Sequence, residues 1–201
     1  LGLTSKEWPE IRFGTPTHPA ETTGMRLGAA HEDNSAYAVT EGDVYFYSPQ
    51  TNKMSLVVGR GGIVTIPSQP AFKVKTNYTS HTGLNHAKPD WSEEVFNIGN
   101  HFSTATDSFT APISGLYLFS VHTLMYITGN YSYIEGRLNG ARTSIAHSPN
   151  NHIYNYLDMA LTETVKMSAG DVYHVQVYNY GSTNKWYSTN NYNSFSGHYL
   201  G

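Results

Sequence analysis

Phe109-Thr110-Ala111-Pro112-Ile113-Ser114-Gly115-Leu116-Tyr117-Leu118-Phe119-Ser120-Val121 decides how this chain is read. A short β-prone segment runs into a turn marked by Pro112 and Gly115. From Leu116 to Val121 nearly every residue is then apolar or aromatic. Such a run reads as a strand buried on both faces, against one core and against a neighbouring chain. Successive side chains alternate across a strand, so Tyr117, Phe119 and Val121 share the core face. Leu116, Leu118, Ser120, His122 and Leu124 form an opposite face too apolar for water, which a neighbouring chain would cover.

Working outward, strands recur at intervals of roughly ten residues, the spacing of an all-β sandwich. Residues 133–138 turn at Asn139-Gly140, the strongest short hairpin signal. Residues 153–161 alternate, with Ile153, Leu157, Met159 and Leu161 on one face and Tyr154, Tyr156 and Asp158 on the other. Residues 172–180 place Tyr173, Val175 and Val177 inward and His174, Gln176 and Tyr178 outward, and residues 195–200 close the domain. Upstream, Ser68-Gln69-Pro70 marks the boundary, giving a segment 1–69 and a domain 70–201. No stretch carries a 3.6-residue apolar period, so the chain is all-β.

Residues 1–69 repeat short apolar-Arg-apolar-Gly blocks, Ile11-Arg12-Phe13-Gly14 and Met25-Arg26-Leu27-Gly28. Val44-Tyr45-Phe46-Tyr47 pairs with residues 53–58 as a hairpin, and Gly59-Arg60-Gly61-Gly62 turns into a further strand. Units this small pack on other chains, as in a trimeric β-structured shaft, or form a small independent domain of hairpins.

Composition removes several function classes. Charged residues are 13% of the 201, against about 25% in an average domain. The net charge is −3 and Lys and Arg are scattered, so there is no stripe for nucleic acid. There is no Cys, hence no disulfide framework and no thiolate site. No apolar run reaches the roughly 18 residues of a membrane span, so no membrane insertion is expected. The chain opens on Leu1 without a signal-peptide pattern, which reads as a fragment or processed product of something longer.

From about Pro70 onward the chain resembles a globular head of the C1q family, within the C1q/tumour-necrosis-factor superfamily. Phe109-Thr110-Ala111-Pro112-Ile113-Ser114-Gly115-Leu116-Tyr117-Leu118-Phe119 follows that family's F-T-A-P-x-x-G-x-Y-x-F signature. Pro70-Ala71-Phe72, Leu138-Asn139-Gly140, Gly170-Asp171-Val172 and Ser194-Phe195-Ser196-Gly197-His198-Tyr199-Leu200 fall in the expected order around it. The resemblance implies a ten-strand jelly-roll sandwich that assembles as a homotrimer and works as a binding head, not as an enzyme. Residues 1–69 carry no Gly-X-Y repeat of a collagen stalk. A β-structured stalk before such a head is similar instead to the distal part of a viral, especially bacteriophage, fibre.

Ten His invite a metal reading, with His122 able to meet its copies on a threefold axis. Interface hydrogen bonding or solvent exposure is the plainer reading, and no Asp-rich calcium loop is present, so no metal or cofactor is assigned. Asp90, Glu93 and Glu94 cluster in a polar loop and read as solvated charge; no nucleophile elbow or phosphate loop appears. Loops built of Tyr, Asn, Ser and Gly have the composition of recognition surfaces. They supply the receptor-binding candidates Tyr131, Tyr133, Asn151, His152, Tyr154, Lys185, Trp186, Tyr187, Asn190 and Tyr192. Lys185 and Trp186 lead, standing in a loop without core periodicity. The trimer-interface candidates are Leu116, Leu118, His122 and Leu124.

The expectation is the receptor-binding tip of a trimeric virion fibre, attached to other fibre proteins and bound to a host-surface glycan or protein. A secreted animal C1q-domain recognition protein is the alternative, and a structural trimerisation head without ligand is a third reading.

Overall fold

A computed structural model describes residues 10–13, 25–37, 39–76, 81–82, 85–127, 131–148, 155–179, 185–186 and 192–201. The chain divides into two units, Leu1–Gln69 and Pro70–Gly201. All regular structure among the described residues is strand.

The first unit is a five-stranded antiparallel meander: β1 Glu10–Phe13, β2 Met25–Ala29, β3 Val44–Ser48, β4 Lys53–Val58 and β5 Val64–Thr65. The two repeated blocks are direct neighbours, with Ile11 opposite Leu27 and Phe13 opposite Met25. One face buries Tyr45, Met54 and Val57 with Ala30 and Val39. Tyr37 and Tyr47 pack against this cluster, edge-to-face with each other, and both donate to Asn52 Oδ1, at 3.0 and 2.6 Å. Asp43 closes the loops: its carboxylate accepts from Thr40 N, Thr40 Oγ1 and Arg60 N. Those backbone bonds, from Thr40 and then Arg60, hold its pKa below the usual carboxylate range.

The second unit is a two-sheet sandwich. The inner sheet runs β9 (Glu93–Ile98), β6 (Ala71–Lys75), β18 (Ser194–Tyr199), β12 (Gly115–Tyr126), β15 (Tyr156–Met167). The outer sheet runs β10 (Phe102–Ser103), β11 (Ser108–Thr110), β16 (Val172–Asn179), β13 (Ser132–Leu138), β14 (Ala141–His147). Three short strands extend these ten: β7 (His81–Thr82) pairs with β17 (Lys185–Trp186), which pairs with β12, and β8 (Asn85–Ala87) pairs with β16. The result is a jelly-roll sandwich.

Its core is aromatic. Phe72 meets Phe102, Phe109, Phe119 and Phe195 at centroid distances of 4.6, 5.3, 6.4 and 5.0 Å. Phe119 of the inner sheet stacks on Tyr173 of the outer one at 3.9 Å and 4°. Glu163, on β15, accepts from Tyr173 Oη, Ser144 Oγ and Thr143 Oγ1 and so ties the two sheets by hydrogen bonds. Burial and then Glu163 push the Tyr173 phenol far up.

The opening stretch sits at the centre of this. Tyr117, Phe119 and Val121 are buried in the sandwich. Tyr117 Oη donates to Ile113 O at 2.7 Å, fastening the strand back onto its turn. A Cβ on Gly115 would meet the Tyr199 ring at 2.5 Å and Gly201 O at 2.6 Å, so the glycine is needed for close approach. In one chain, however, the strand is covered on one face only: Leu116 is 44% exposed. A second difference concerns β15, which the sequence pattern stops at Leu161. It continues to Met167 because β12 pairs with it along its whole length, from Tyr126↔Tyr156 to Gly115↔Met167. The Asn139-Gly140 hairpin forms as read, with φ of 49° and 82°.

Gly197 lies between rings: a Cβ there would stand 2.6 Å from both Phe119 and Phe72. Gly197→Ala is expected to destabilise the second unit by about 1–3 kcal/mol through overpacking, as measured by urea unfolding followed through aromatic fluorescence. A change within about 0.5 kcal/mol would show that the rings yield freely.

Candidate functional site

The outward face of the outer sheet carries a cluster of rings. β13 lies between β14 and β16, and the register sets Tyr133 opposite His147 on one side and Tyr178 on the other. Cross-strand partners share a face, and these rings stack: Tyr133 is 4.8 Å from Tyr178 and 5.8 Å from His147, at 19° to each. Tyr131, just before β13, stacks 5.0 Å from His147 and 6.2 Å from Tyr133. From β8, His86 lies 5.0 Å from Tyr178, with Nε2 3.5 Å from the Tyr133 hydroxyl. The two His are exposed and the three Tyr half-buried.

Charge is arranged beside the rings. Glu135, two residues along β13 from Tyr133, is 1% exposed and accepts from Arg137 Nε and Arg142 Nη1, both at 3.0 Å. Burial pushes its carboxyl up, but the two arginines outweigh burial and hold it below the ordinary range. His86 Nδ1 is 3.8 Å from the same carboxylate. Burial, and then the Glu135 charge, raise the Tyr133 phenol. Stacked faces cover one another, so the cluster offers a ligand phenolic hydroxyls, imidazole nitrogens and the exposed Arg142 guanidinium. Among the described residues no group of three or more His, Cys, Asp or Glu could hold a metal ion.

His174 lies on the same outer strand, opposite Arg137. The alternation places it outward with Gln176 and Tyr178, yet it is buried, and neither ring nitrogen has a hydrogen-bond partner among the described residues. Burial first, then the nearby Lys88 and Arg137 charges, lower its pKa to about 4.

The inner sheet presents a different outward face. Register aligns Leu118, His198, Ala71 and Ile98 in one row and Ser120, Ser196, Lys73 and Phe96 in the next. Leu116, Leu200, Ile98 and Phe96 are exposed there, while Leu118 and Leu124 are half-buried. His122 is exposed, with Nδ1 3.1 Å from Tyr192 O and Nε2 3.8 Å from Asp158 Oδ1. Ser120 Oγ and Thr162 Oγ1 are 3.0 Å apart, so polar and apolar side chains are interspersed on this face.

The residues singled out from the sequence do not make one site. Tyr131 and Tyr133 come together in the ring cluster. Tyr192 lies beside His122 on the inner sheet. Trp186 is a correction: it is 0% exposed, packs edge-on to Trp91 at 5.7 Å and pairs with Met125, so it belongs to the core and cannot touch a receptor. Its polar surroundings in sequence gave no period, but the short pairing with β12 turns the indole inward. The Lys185 backbone pairs with Tyr126. Asn151, His152, Tyr154, Tyr187 and Asn190 lie outside the described residues. The additional members are His86, His147, Tyr178, Glu135 and Arg142. Counting back from the Asn139-Gly140 hairpin sets Ala146 opposite Tyr133; a bulge between Gly136 and Arg137 shifts the register by one and brings His147 there instead, and nothing local points to Tyr178 or His86.

The C1q domain family model matches residues 71–200. Among solved structures, the globular domain of zebrafish complement 1qA protein aligns with a TM-score of 0.52 at 15% identity, covering 66% of this chain and 98% of that one. Murine APRIL at pH 5.0 aligns with a TM-score of 0.51 at 12% identity, covering 66% and 99%. At such identities the likeness to these structures is one of fold. No curated protein matches the chain by sequence.

The buried His174 sets an acid limit on the second unit. An unfolded imidazole takes up its proton near pH 6.5, the folded one only at about pH 4. Between these values the unfolded chain binds more protons, so stability falls as pH drops. Melting temperature is expected to decline from pH 6.5 towards pH 5, and His174→Leu is expected to flatten that decline. An equal slope in the variant would assign the acid sensitivity elsewhere.

Proposed function

This chain belongs to the C1q domain family, and from that membership we propose that it is the homotrimeric receptor-binding tip of a viral fibre. The observation that carries the reading is the contrast between the two sheets. The inner sheet leaves Leu116, Phe96, Ile98 and Leu200 in water in a single chain, an arrangement that calls for covering by further copies. The outer sheet keeps a polar aromatic cluster, the kind of surface that recognises ligands through rigid rings and adaptable hydrogen bonds. Leu116, Leu118, His122 and Leu124 then belong to the contact between copies. Tyr131, Tyr133, His147, Tyr178 and His86 belong to the contact with a host-surface glycan or protein. Residues 1–69 serve as the shaft through which the head joins the other fibre proteins of the virion, and several heads acting together turn weak contacts into firm attachment. Catalysis has no part in this reading.

A secreted animal recognition protein is the second reading, favoured by the likeness to the zebrafish complement domain. The β-sheet unit in place of a collagen stalk favours the fibre. Adjacent tail or capsid genes decide for the virus, and a signal peptide in the full gene decides for the animal protein.

Sedimentation at micromolar concentration is expected to give a trimer, and Leu118→Asp a monomer; a monomeric parent chain overturns the fibre reading. Labelled chain is expected to bind host cells. Tyr133→Ala with Tyr178→Ala should weaken that binding about tenfold or more while the trimer persists. Unchanged binding removes the ring cluster as the receptor contact.

A further inference from the structure

Among the described residues, the first unit buries one face of its sheet and leaves the other half-buried to exposed. By register, Ile11, Leu27, Phe46 and Leu56 form one cross-strand row on that face. Ala29, Val44, Val58 and Val64 form the next. No member of either row is charged. Ile11 is 60%, Val64 59%, Val44 41% and Val58 37% exposed. Isolated apolar residues on a surface need no explanation, but two contiguous rows across four strands mark a contact.

We infer that this face is covered by the same face of two further copies of the chain, forming a three-sided β-prism with a shared apolar centre. The inference rests on the trimeric reading of the head. Two observations select the occupant. The last residue of the unit, Gln69, directly precedes Pro70 of the head. A trimer of heads therefore holds three such units at an effective concentration of about millimolar. The dimensions also match. Each row crosses four of the five strands, and four strands about 4.8 Å apart make a wall roughly 19 Å wide at either level. Three such walls closed into a triangle leave about 5.5 Å from each wall to the axis, half the roughly 10 Å at which sheets stack. One layer of side chains from each wall fills that space. An uncharged row suits such an axis, where identical charges from three copies would repel.

The chain has no cysteine of its own, so single reporters are clean. Full-length Val58→Cys and Val44→Cys are each sedimented and then treated with a short bismaleimide. Thr65→Cys is the control, because Thr65 is exposed on the opposite face, in register with buried Val57. The expected result is a trimer in which about two thirds of the chains become covalent dimers at Val58→Cys and Val44→Cys, unchanged on tenfold dilution. Thr65→Cys should stay uncoupled. Trimers that fail to couple at both face positions overturn the prism, leaving the head or another segment to cover the face, while the trimeric head stands. Equal coupling at Thr65→Cys also overturns it. A monomer before treatment overturns the trimeric reading together with the prism.

Discussion

The second unit depends on one contact across its middle. Phe119 of the inner sheet lies flat on Tyr173 of the outer sheet, at 3.9 Å. The hydroxyl of Tyr173 then donates to Glu163, which returns to the inner sheet. A stacked pair adds roughly 0.5–1.5 kcal/mol beyond its area, and here it also sets which residues of two long strands face each other. Gly136 leaves the space: a Cβ there would stand 1.9 Å from Glu163 Oε1 and 2.2 Å from Tyr173 Oη. With Phe119 and Tyr173 inward, the alternation of β12 and β16 places Leu118 and Tyr178 outward on opposite sides of the sandwich.

Those outward faces differ in chemistry. The inner sheet mixes exposed Leu116, Phe96, Ile98 and Leu200 with the hydroxyls of Ser120 and Thr162. The outer sheet carries stacked Tyr and His beside a carboxylate that two arginines neutralise. Glu135 is almost wholly buried and would be costly without Arg137 and Arg142. Together these three residues form a fixed polar floor next to the rings.

The first unit obeys the same alternation with less material. Among the described residues five buried ones make its core, and a core this small gains from any further apolar burial. Its uncovered rows of Val, Leu and Ile are the sheet's own remedy if copies meet there.

Local patterns in the sequence were enough for the strand at Leu116–Val121, the turn that launches it, the Asn139-Gly140 hairpin and the all-β class. Each of these depends on residues adjacent in the chain, where turn chemistry and period-2 alternation act directly. The same logic identified Tyr117, Phe119 and Val121 as core. Tertiary structure alone decided the rest. Trp186 moved from candidate contact to core because a two-residue pairing with β12 aims its indole at Trp91. His174 moved from surface to interior although its neighbours in the alternation, Gln176 and Tyr178, are half-exposed. The ring cluster needed β16 and β8, brought beside β13 by pairings between residues far apart in sequence. A sequence states which way each side chain can point along its own strand. Which strand lies next to it, and therefore which side chains meet, follows only from how the whole sandwich closes.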